Sequence, residues 1–126
     1  MTTFGDFVRE KRLSKKINLR ALAKEIGIVP AYMSDIEKNH RYPPAKEKIF
    51  KIAEILQLTD EERNKMFDLA GEAKEGLVAP DISDYVRTQN TARLALRKAR
   101  DLNLGDKEWM KVIEILEKGK GKNADR

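Results

Sequence analysis

Cysteine is absent from this 126-residue sequence, histidine occurs once, and aromatic residues make up only 6%. The absence of cysteine excludes disulfide bonds and thiolate metal sites, and it is typical of a protein from a reducing compartment. The one histidine, His40, has no second histidine and no cysteine with which to share a metal ion. We therefore expect no metal and no cofactor.

The sequence also lacks long apolar runs and recognisable catalytic motifs. No run approaches the roughly 20 apolar residues that span a bilayer, and the first residues lack the apolar segment of a signal peptide. There is no cysteine–histidine pair, no Ser-His-Asp set and no glycine-rich nucleotide fingerprint. These absences predict a cytoplasmic protein that does not act on membranes and is not an enzyme.

Charged residues are abundant, at 37%, and they are unevenly distributed. Between Arg9 and Lys51 there are twelve Lys and Arg against five Asp and Glu, whereas between Glu54 and Glu75 there are three against seven. The basic excess therefore falls on the segment from Arg9 to Lys51. Such a concentration attracts phosphate, although an ordinary solvated surface has a similar composition.

Apolar residues recur at helical spacing along the chain, and no window alternates with the period of a strand. The pattern predicts an all-α fold with a domain of five helices in residues 1–72. A linker with glycine and proline follows at 73–81, and then a short helical extension at 82–118. The polar, glycine-rich tail at 119–126 is expected to be disordered.

The helical extension has its own start signals and its own apolar stripe. Asn90 or Thr91 is the expected N-cap of one helix, and Asp106 is the expected N-cap of the last. The stripe of the last helix either packs within the extension or forms a dimer interface. Its members are Trp109, Val112, Ile113 and Leu116.

The most informative segment contains two short helices joined by a tight turn. The pattern predicts helix 2 over Leu19–Ile26, with Asn18 as its N-cap and Gly27 as the turn residue. Helix 3 begins at Pro30, a residue that is favoured at the first helical position, and ends at about Lys38–Asn39. This is the sequence pattern of a helix-turn-helix, whose second helix enters the DNA major groove.

Helix 3 has distinct inner and outer faces. At about 100° per residue, Met33 and Ile36 share the inner face. The outer face offers small, hydroxyl-bearing and acidic side chains to base edges, namely Ala31, Tyr32, Ser34 and Asp35. Asp35 has two interpretations. Its carboxylate accepts from a cytosine amino group, although it also repels phosphate, or it serves as a surface or local hydrogen-bonding residue.

The same segment resembles the Cro/cI-type (XRE) helix-turn-helix family. The resemblance spans about residues 4–70 and implies a five-helix, lambda-repressor-like DNA-binding domain, followed here by the helical C-terminal extension. It also implies operator binding, usually as a dimer on an inverted repeat. The matching residues are Leu22, Ala23, Gly27, Tyr32, Met33, Ser34, Ile36, Glu37, Lys38 and Asn39.

The resemblance also implies roles for residues outside helix 3. Helix 1 is predicted over about Thr3–Leu13. The family pairs an arginine late in helix 1 with a glutamate at the end of helix 3, and these residues are Arg12 and Glu37 here. Such a pair is structural, and it holds helix 3 against helix 1. The family contacts phosphates from the start of helix 2 and from the loop after helix 3. The corresponding residues are Asn18, Arg20, Lys38, His40 and Arg41.

Three positions depart from the family pattern. Leu19 replaces a common glutamine, and Val29 replaces a serine or threonine that caps helix 3. Asn39 replaces a glycine, although asparagine tolerates the left-handed conformation. We expect these changes to alter which bases are read and to leave the fold intact.

Together these features predict a sequence-specific transcriptional regulator, by default a repressor, which binds double-stranded DNA as a homodimer. Two alternatives stay open. One is an antitoxin that represses its own operon and neutralises a toxin through the C-terminal helices. The other is a mobile-element inhibitor protein that uses the fold to bind a protein partner.

Overall fold

A computed structural model describes residues 2–74 and 78–124, with side chains as far as residue 119. Every regular element in these residues is an α-helix, which confirms the all-α fold, and none is long and apolar enough to cross a membrane. The chain forms two compact units, Met1–Tyr85 and Val86–Arg126. The helices are α1 (Phe4–Ser14), α2 (Leu19–Ile26), α3 (Pro30–Glu37), α4 (Lys46–Ile55), α5 (Asp60–Glu72), α6 (Pro80–Thr88), α7 (Asn90–Asp101) and α8 (Asp106–Ala124).

The first unit has a hydrophobic core to which α1 to α5 contribute. Helix α3 packs against α1 and α2, α2 also packs against α4, and α1 packs against α5. Burying a large apolar side chain stabilises a fold by roughly 1.5–3 kcal/mol, so these contacts fix the positions of the short helices. The largest fully buried side chains are Phe67, Leu22, Ile26, Met33, Ile36, Ile49, Ile52, Leu56, Met66 and Val8.

Capping boxes begin the first and fifth helices. Thr3 accepts a hydrogen bond from the Asp6 N–H at the start of α1, and the Asp6 carboxylate accepts one from the Thr3 N–H. These bonds with Thr3 lower the pKa of Asp6 below its usual value. Thr59 and Glu62 form the same arrangement at the start of α5, as threonine followed by glutamate three residues later predicts.

Gly5, in the first turn of α1, allows this helix to touch the end of α3. A Cβ at position 5 would lie 2.4 Å from the carbonyl oxygen of Ile36 and 2.6 Å from that of Glu37. The Gly5 N–H donates a hydrogen bond of 3.2 Å to Asn39 Oδ1. A glycine normally weakens a helix, but here any larger residue would push α3 away from α1.

The segment predicted to be a linker, 73–81, is partly folded. Helix α6 begins at Pro80, and Ala79 is buried in the core of the first unit. A Cβ on Gly71 would lie 2.9 Å from the backbone nitrogen of Ala79, so the chain returns closely onto α5. The first folded unit therefore extends past residue 72, its predicted end, because Ala79 is buried in its core. Residues 75–77 of this segment lie outside the described residues.

Helix α7 does not use either predicted N-cap. Its N-cap is Gln89, whose side chain makes no capping bond, and Asn90 and Thr91 are the first helical residues. The Asn90 side chain accepts instead from the guanidinium of Arg93. Arg93 also donates to the Val86 carbonyl at 2.8 Å, near the end of α6. The prediction was wrong here because an arginine one turn later competes for the asparagine.

Helix α8 also begins differently from the prediction. Asp106 is its first helical residue, and the capping bond runs from the Gly105 N–H to Glu108 Oε2, at 3.1 Å. The helix continues to Ala124, so most of the 119–126 segment, which we expected to be disordered, is helical. Propagation of an existing helix adds one hydrogen bond per ordered residue, which favours such continuation. The last two residues lie outside the described part of the chain.

The apolar stripe of α8 is only partly covered within the second unit. Trp109 and Val112 are half-buried, whereas Ile113 is 44% exposed and Leu116 is 65% exposed. The stripe therefore packs at its start and leaves its later turns in solvent. Further exposed apolar side chains of this unit are Leu94, Leu96, Leu102, Met110 and Ile115.

Candidate nucleic-acid interface

The turn between α2 and α3 forms as the sequence predicts. Asn18 caps α2 by accepting a 2.7 Å hydrogen bond from the Ala21 N–H. Gly27 ends the helix with φ of 80°, in the left-handed region that glycine adopts without steric cost. Pro30 then starts α3, and Val29 provides no side-chain capping bond. The expected loss of a cap at Val29 is thus confirmed.

A buried ion pair holds α3 against α1. Arg12 Nε lies 2.7 Å from Glu37 Oε2, and Arg12 Nη2 lies 2.8 Å from Glu37 Oε1. Arg12 Nη1 also donates to the Ile17 carbonyl at 3.0 Å, just before α2. The side chains are only 9% and 4% exposed, so the pair is nearly free of solvent. The hydrogen-bonded Glu37 carboxylate raises the pKa of Arg12. Through its hydrogen bonds, this one guanidinium connects α1 with the segment before α2 and with the end of α3.

The end of α3 is closed by a left-handed residue. Asn39 has φ of 63°, as the sequence interpretation required of a residue that replaces glycine. The His40 N–H donates to the Asp35 carbonyl at 2.8 Å, and the Asn39 N–H donates to the Ile36 carbonyl at 3.1 Å. This is the Schellman arrangement, in which the chain turns back along the helix that it has just left. It brings the following residue, Arg41, beside α3.

The predicted base-contacting residues lie on α3 with different degrees of exposure. Ala31 is exposed, and Tyr32, Ser34 and Asp35 are half-buried. Tyr32 packs partly against the hydrophobic core, so its ring has a fixed support. On the opposite face, Met33 is completely buried. The side chains that are free to meet a ligand are therefore small or polar.

Three of the predicted contact residues touch one another. Arg41 Nε lies 3.8 Å from Asp35 Oδ2, and the Arg41 guanidinium carbon lies 5.3 Å from the centre of the Tyr32 ring. The Arg41 side chain is nonetheless 59% exposed. Asp35 thus faces a cation on the same surface.

The predicted phosphate-contacting residues are spread over α2 and the end of α3. Arg20 is exposed in the first turn of α2, and Lys38 and His40 are exposed after α3. Asn18 uses its side-chain oxygen to cap α2, which leaves its amide NH2 as the group for an external contact. Neither α2 nor α3 has an acidic residue in its first turn, whereas α1 and α5 both do. A helix N-terminus carries partial positive charge and free N–H groups, so it binds phosphate more readily when no acidic side chain lies nearby.

Two residues that position this surface were not predicted from the sequence. One is Gly5, whose absent side chain makes room for α3, and the signal was a glycine inside an otherwise regular helical pattern. The other is Lys48, which donates to the Ile26 carbonyl at 3.0 Å and so satisfies the end of α2 from α4. No sequence signal identifies Lys48, because its partner lies on another helix.

Comparison with known proteins finds a family match within the first unit. Residues 8–62 match a family model described as "Helix-turn-helix". A solved structure described as a SinR protein/SinI protein complex is similar to the chain at 17% sequence identity and a TM-score of 0.46, over 94% of this chain and 99% of that one. No curated protein matches. The match over 8–62 confirms the helix-turn-helix resemblance seen in the sequence.

Proposed function

We propose that the protein is a sequence-specific transcriptional repressor that inserts α3 into the major groove of operator DNA. The observation that carries this proposal is the division of α3 into two faces. Met33, Ile36 and Glu37 are buried, whereas Ala31 is exposed beside half-buried Ser34. A short helix that is rigidly held by one face, and small or polar on the other, suits close approach to base edges.

Phosphate contacts would come from both sides of α3. Arg20 lies in the acid-free first turn of α2, and Lys38 is exposed at the C-cap of α3. The backbone N–H groups at the start of α2 supply further donors to a phosphate. The surrounding sequence from Arg9 to Lys51 carries the basic excess of the chain, which supports attraction to DNA at long range.

The second unit supports a proposal of dimerisation. Its exposed apolar residues include Ile113, Ile115 and Leu116 of α8, at 44%, 69% and 65% exposure. Clusters of exposed apolar side chains of this kind mark protein interfaces. A second copy of the chain is the partner that an inverted-repeat operator would require, with the two copies of α3 about 34 Å apart. Occupation of such a site would exclude polymerase from an overlapping promoter.

The DNA-binding proposal is tested with two variants that add the same charge at different places. Ala31→Glu introduces a carboxylate on the exposed face of α3, whereas Asn64→Glu introduces one on the exposed surface of α5. Fragments selected from a random DNA pool by the wild-type protein serve as ligands in fluorescence anisotropy titrations. We expect Ala31→Glu to abolish specific binding and Asn64→Glu to retain it, with both circular dichroism spectra unchanged. Specific binding by Ala31→Glu would show that α3 is not the reading helix.

The dimer proposal is tested separately by sedimentation equilibrium. The full chain is compared with a chain that ends at Thr88, where α6 ends, and with the full-length Leu116→Lys variant. We expect a dimer for the full chain and monomers for the other two. A truncated chain that stays dimeric would exclude the second unit as the sole interface, and a monomeric full chain would favour the exposed apolar residues as a site for another protein.

A further inference from the structure

We propose that Arg41 reads a guanine in each half of the operator, and that Tyr32 and Asp35 orient its side chain for this purpose. The inference rests on the proposed function, since it assigns the base that the same surface recognises. It replaces the role of phosphate contact that the sequence indicates for Arg41.

The contacts of Arg41 engage only part of its guanidinium. The ion pair with Asp35 uses Nε, at 3.8 Å from Oδ2. Nε is the donor nearest the side-chain stem, so the two terminal amino groups remain available to a ligand. An arginine that donates from both of these groups matches the O6 and N7 acceptors on the major-groove edge of guanine. The 59% exposure of the side chain leaves room for that base edge.

The backbone and the tyrosine ring reduce the freedom of Arg41. Asn39, with φ of 63°, and the bond from the His40 N–H to the Asp35 carbonyl direct the chain back along α3. The guanidinium carbon then lies 5.3 Å from the centre of the Tyr32 ring, which itself packs partly against the core. A guanidinium that lies over an aromatic ring has fewer orientations open to it, so less conformational entropy is lost when it binds a base.

The position of Asp35 favours a base over a phosphate as the ligand of Arg41. A carboxylate beside the guanidinium weakens its attraction for a phosphate, because the two negative groups repel each other. The base-edge acceptors of guanine carry no net charge, so the carboxylate does not repel them in this way. The carboxylate can therefore orient Arg41 without opposing its contact with the base. Asp35 is accordingly a positioning residue.

The first experiment uses the wild-type protein and modified DNA, and it does not depend on the folding of any variant. Operators selected from a random pool are resynthesised with 7-deazaguanine, which lacks the N7 acceptor, at one guanine at a time. We expect one position in each half-site to weaken binding about 10-fold or more. If no single substitution weakens binding, the inference is wrong.

The second experiment links that guanine to Arg41. Arg41→Ala should bind the selected operator about 10- to 100-fold more weakly, and 7-deazaguanine at the sensitive position should weaken it no further. Arg20→Ala is the matched control, because it removes an exposed arginine that we assign to phosphate. It should lower affinity on selected and random DNA alike and reduce the slope of log affinity against log salt by about 0.9.

Variants of the supporting residues separate orientation from direct contact. Asp35→Asn should relax the preference for guanine at the sensitive position and should raise affinity for random DNA, since it removes a negative charge. Tyr32→Phe, which retains the ring, should preserve the preference, and Tyr32→Ala should lose it. A merely structural role of either residue would change affinity without changing base preference.

Two results would overturn the inference in distinguishable ways. If Arg41→Ala weakens binding equally on all sequences and reduces the salt slope as Arg20→Ala does, Arg41 binds phosphate and the proposed function stands. If the wild-type protein selects no sequence from the pool, the proposed function fails, and the assignment of Arg41 fails with it.

Discussion

Replacing Glu37 with glutamine removes the negative charge that Arg12 meets in the interior of the first unit. The glutamine has nearly the same shape, so it creates no cavity and leaves one carbonyl oxygen to accept a hydrogen bond. The guanidinium keeps its proton even without the carboxylate, because arginine is not deprotonated in proteins. It therefore remains as a buried cation without its counter-ion.

The structure indicates a large effect. Two hydrogen bonds of 2.7 and 2.8 Å connect the Arg12 and Glu37 side chains. These side chains are only 9% and 4% exposed, so water cannot take over either hydrogen bond when one partner is lost. Removal of one partner from a buried pair costs about 3–5 kcal/mol, and the remaining amide acceptor places Glu37→Gln near the lower value. Since a domain of this kind is stable by about 5–15 kcal/mol, the variant should remain folded but be markedly weakened.

Urea denaturation followed by far-ultraviolet circular dichroism measures this change. The single tryptophan, Trp109, lies in the second unit, whereas the circular dichroism signal includes the helices of the first. With a slope of about 1–3 kcal/mol per molar urea, the loss of about 3 kcal/mol moves the midpoint of the first unit by about 1–3 M. The double variant Arg12→Met, Glu37→Leu should recover most of the stability, because it buries no charge.

The matched control is Glu62→Gln, which removes the carboxylate of a more exposed ion pair. Lys11 Nζ lies 2.5 Å from Glu62 Oε2, with side chains 27% and 33% exposed, and a glutamine at position 62 still completes the capping box. Its midpoint should change far less. If Glu37→Gln shifts the midpoint no more than this control does, the buried pair does not hold α3 against α1.

Three further predictions concern the first unit. The Lys11 ammonium and the Thr59 N–H lower the pKa of Glu62 from 4.5 to about 2. Wild type should therefore be more stable than Glu62→Gln by a constant amount above pH 4.5, and this difference should vanish as the pH falls through about 2. Urea midpoints measured over an acid pH series test this. Gly5→Ala should lower the free energy of unfolding by about 1–3 kcal/mol and weaken DNA binding. The control Gly119→Ala should lower neither stability nor DNA binding, because a Cβ there meets nothing within 4 Å. Val29→Thr should raise the melting temperature by adding about 1 kcal/mol of capping at a residue that is 65% exposed, and an unchanged melting temperature would mean that the start of α3 is already satisfied.

Local signals predicted much of the first unit. Asn18 and Gly27 determine the ends of α2 through contacts within a few residues, and both act as expected. The pairing of Arg12 with Glu37 was implied by family resemblance, since 25 residues separate them and spacing alone does not connect them. The inner face of α3 followed from helical periodicity, as the complete burial of Met33 illustrates.

Contacts between distant segments account for what the sequence could not predict. The close approach at Gly5 depends on where α3 ends, and the burial of Ala79 depends on the return of the chain onto α5. In the second unit, the Arg93 guanidinium donates a hydrogen bond to Asn90 Oδ1, the atom that would have capped α7 in the prediction. The neighbourhood of Arg41, Tyr32 and Asp35 likewise arises from a turn whose direction only the backbone reveals.

The separation of the two faces of α3 has a consequence for how such a protein diversifies. The residues that hold the helix, Met33, Ile36 and Glu37, are buried, whereas Ala31 and Lys38 are exposed and lie outside the core. Substitutions at exposed positions usually change stability by less than about 0.5 kcal/mol. A lineage can therefore exchange Ala31 and Lys38 one at a time, and so change the outward surface of α3, without passing through an unfolded intermediate.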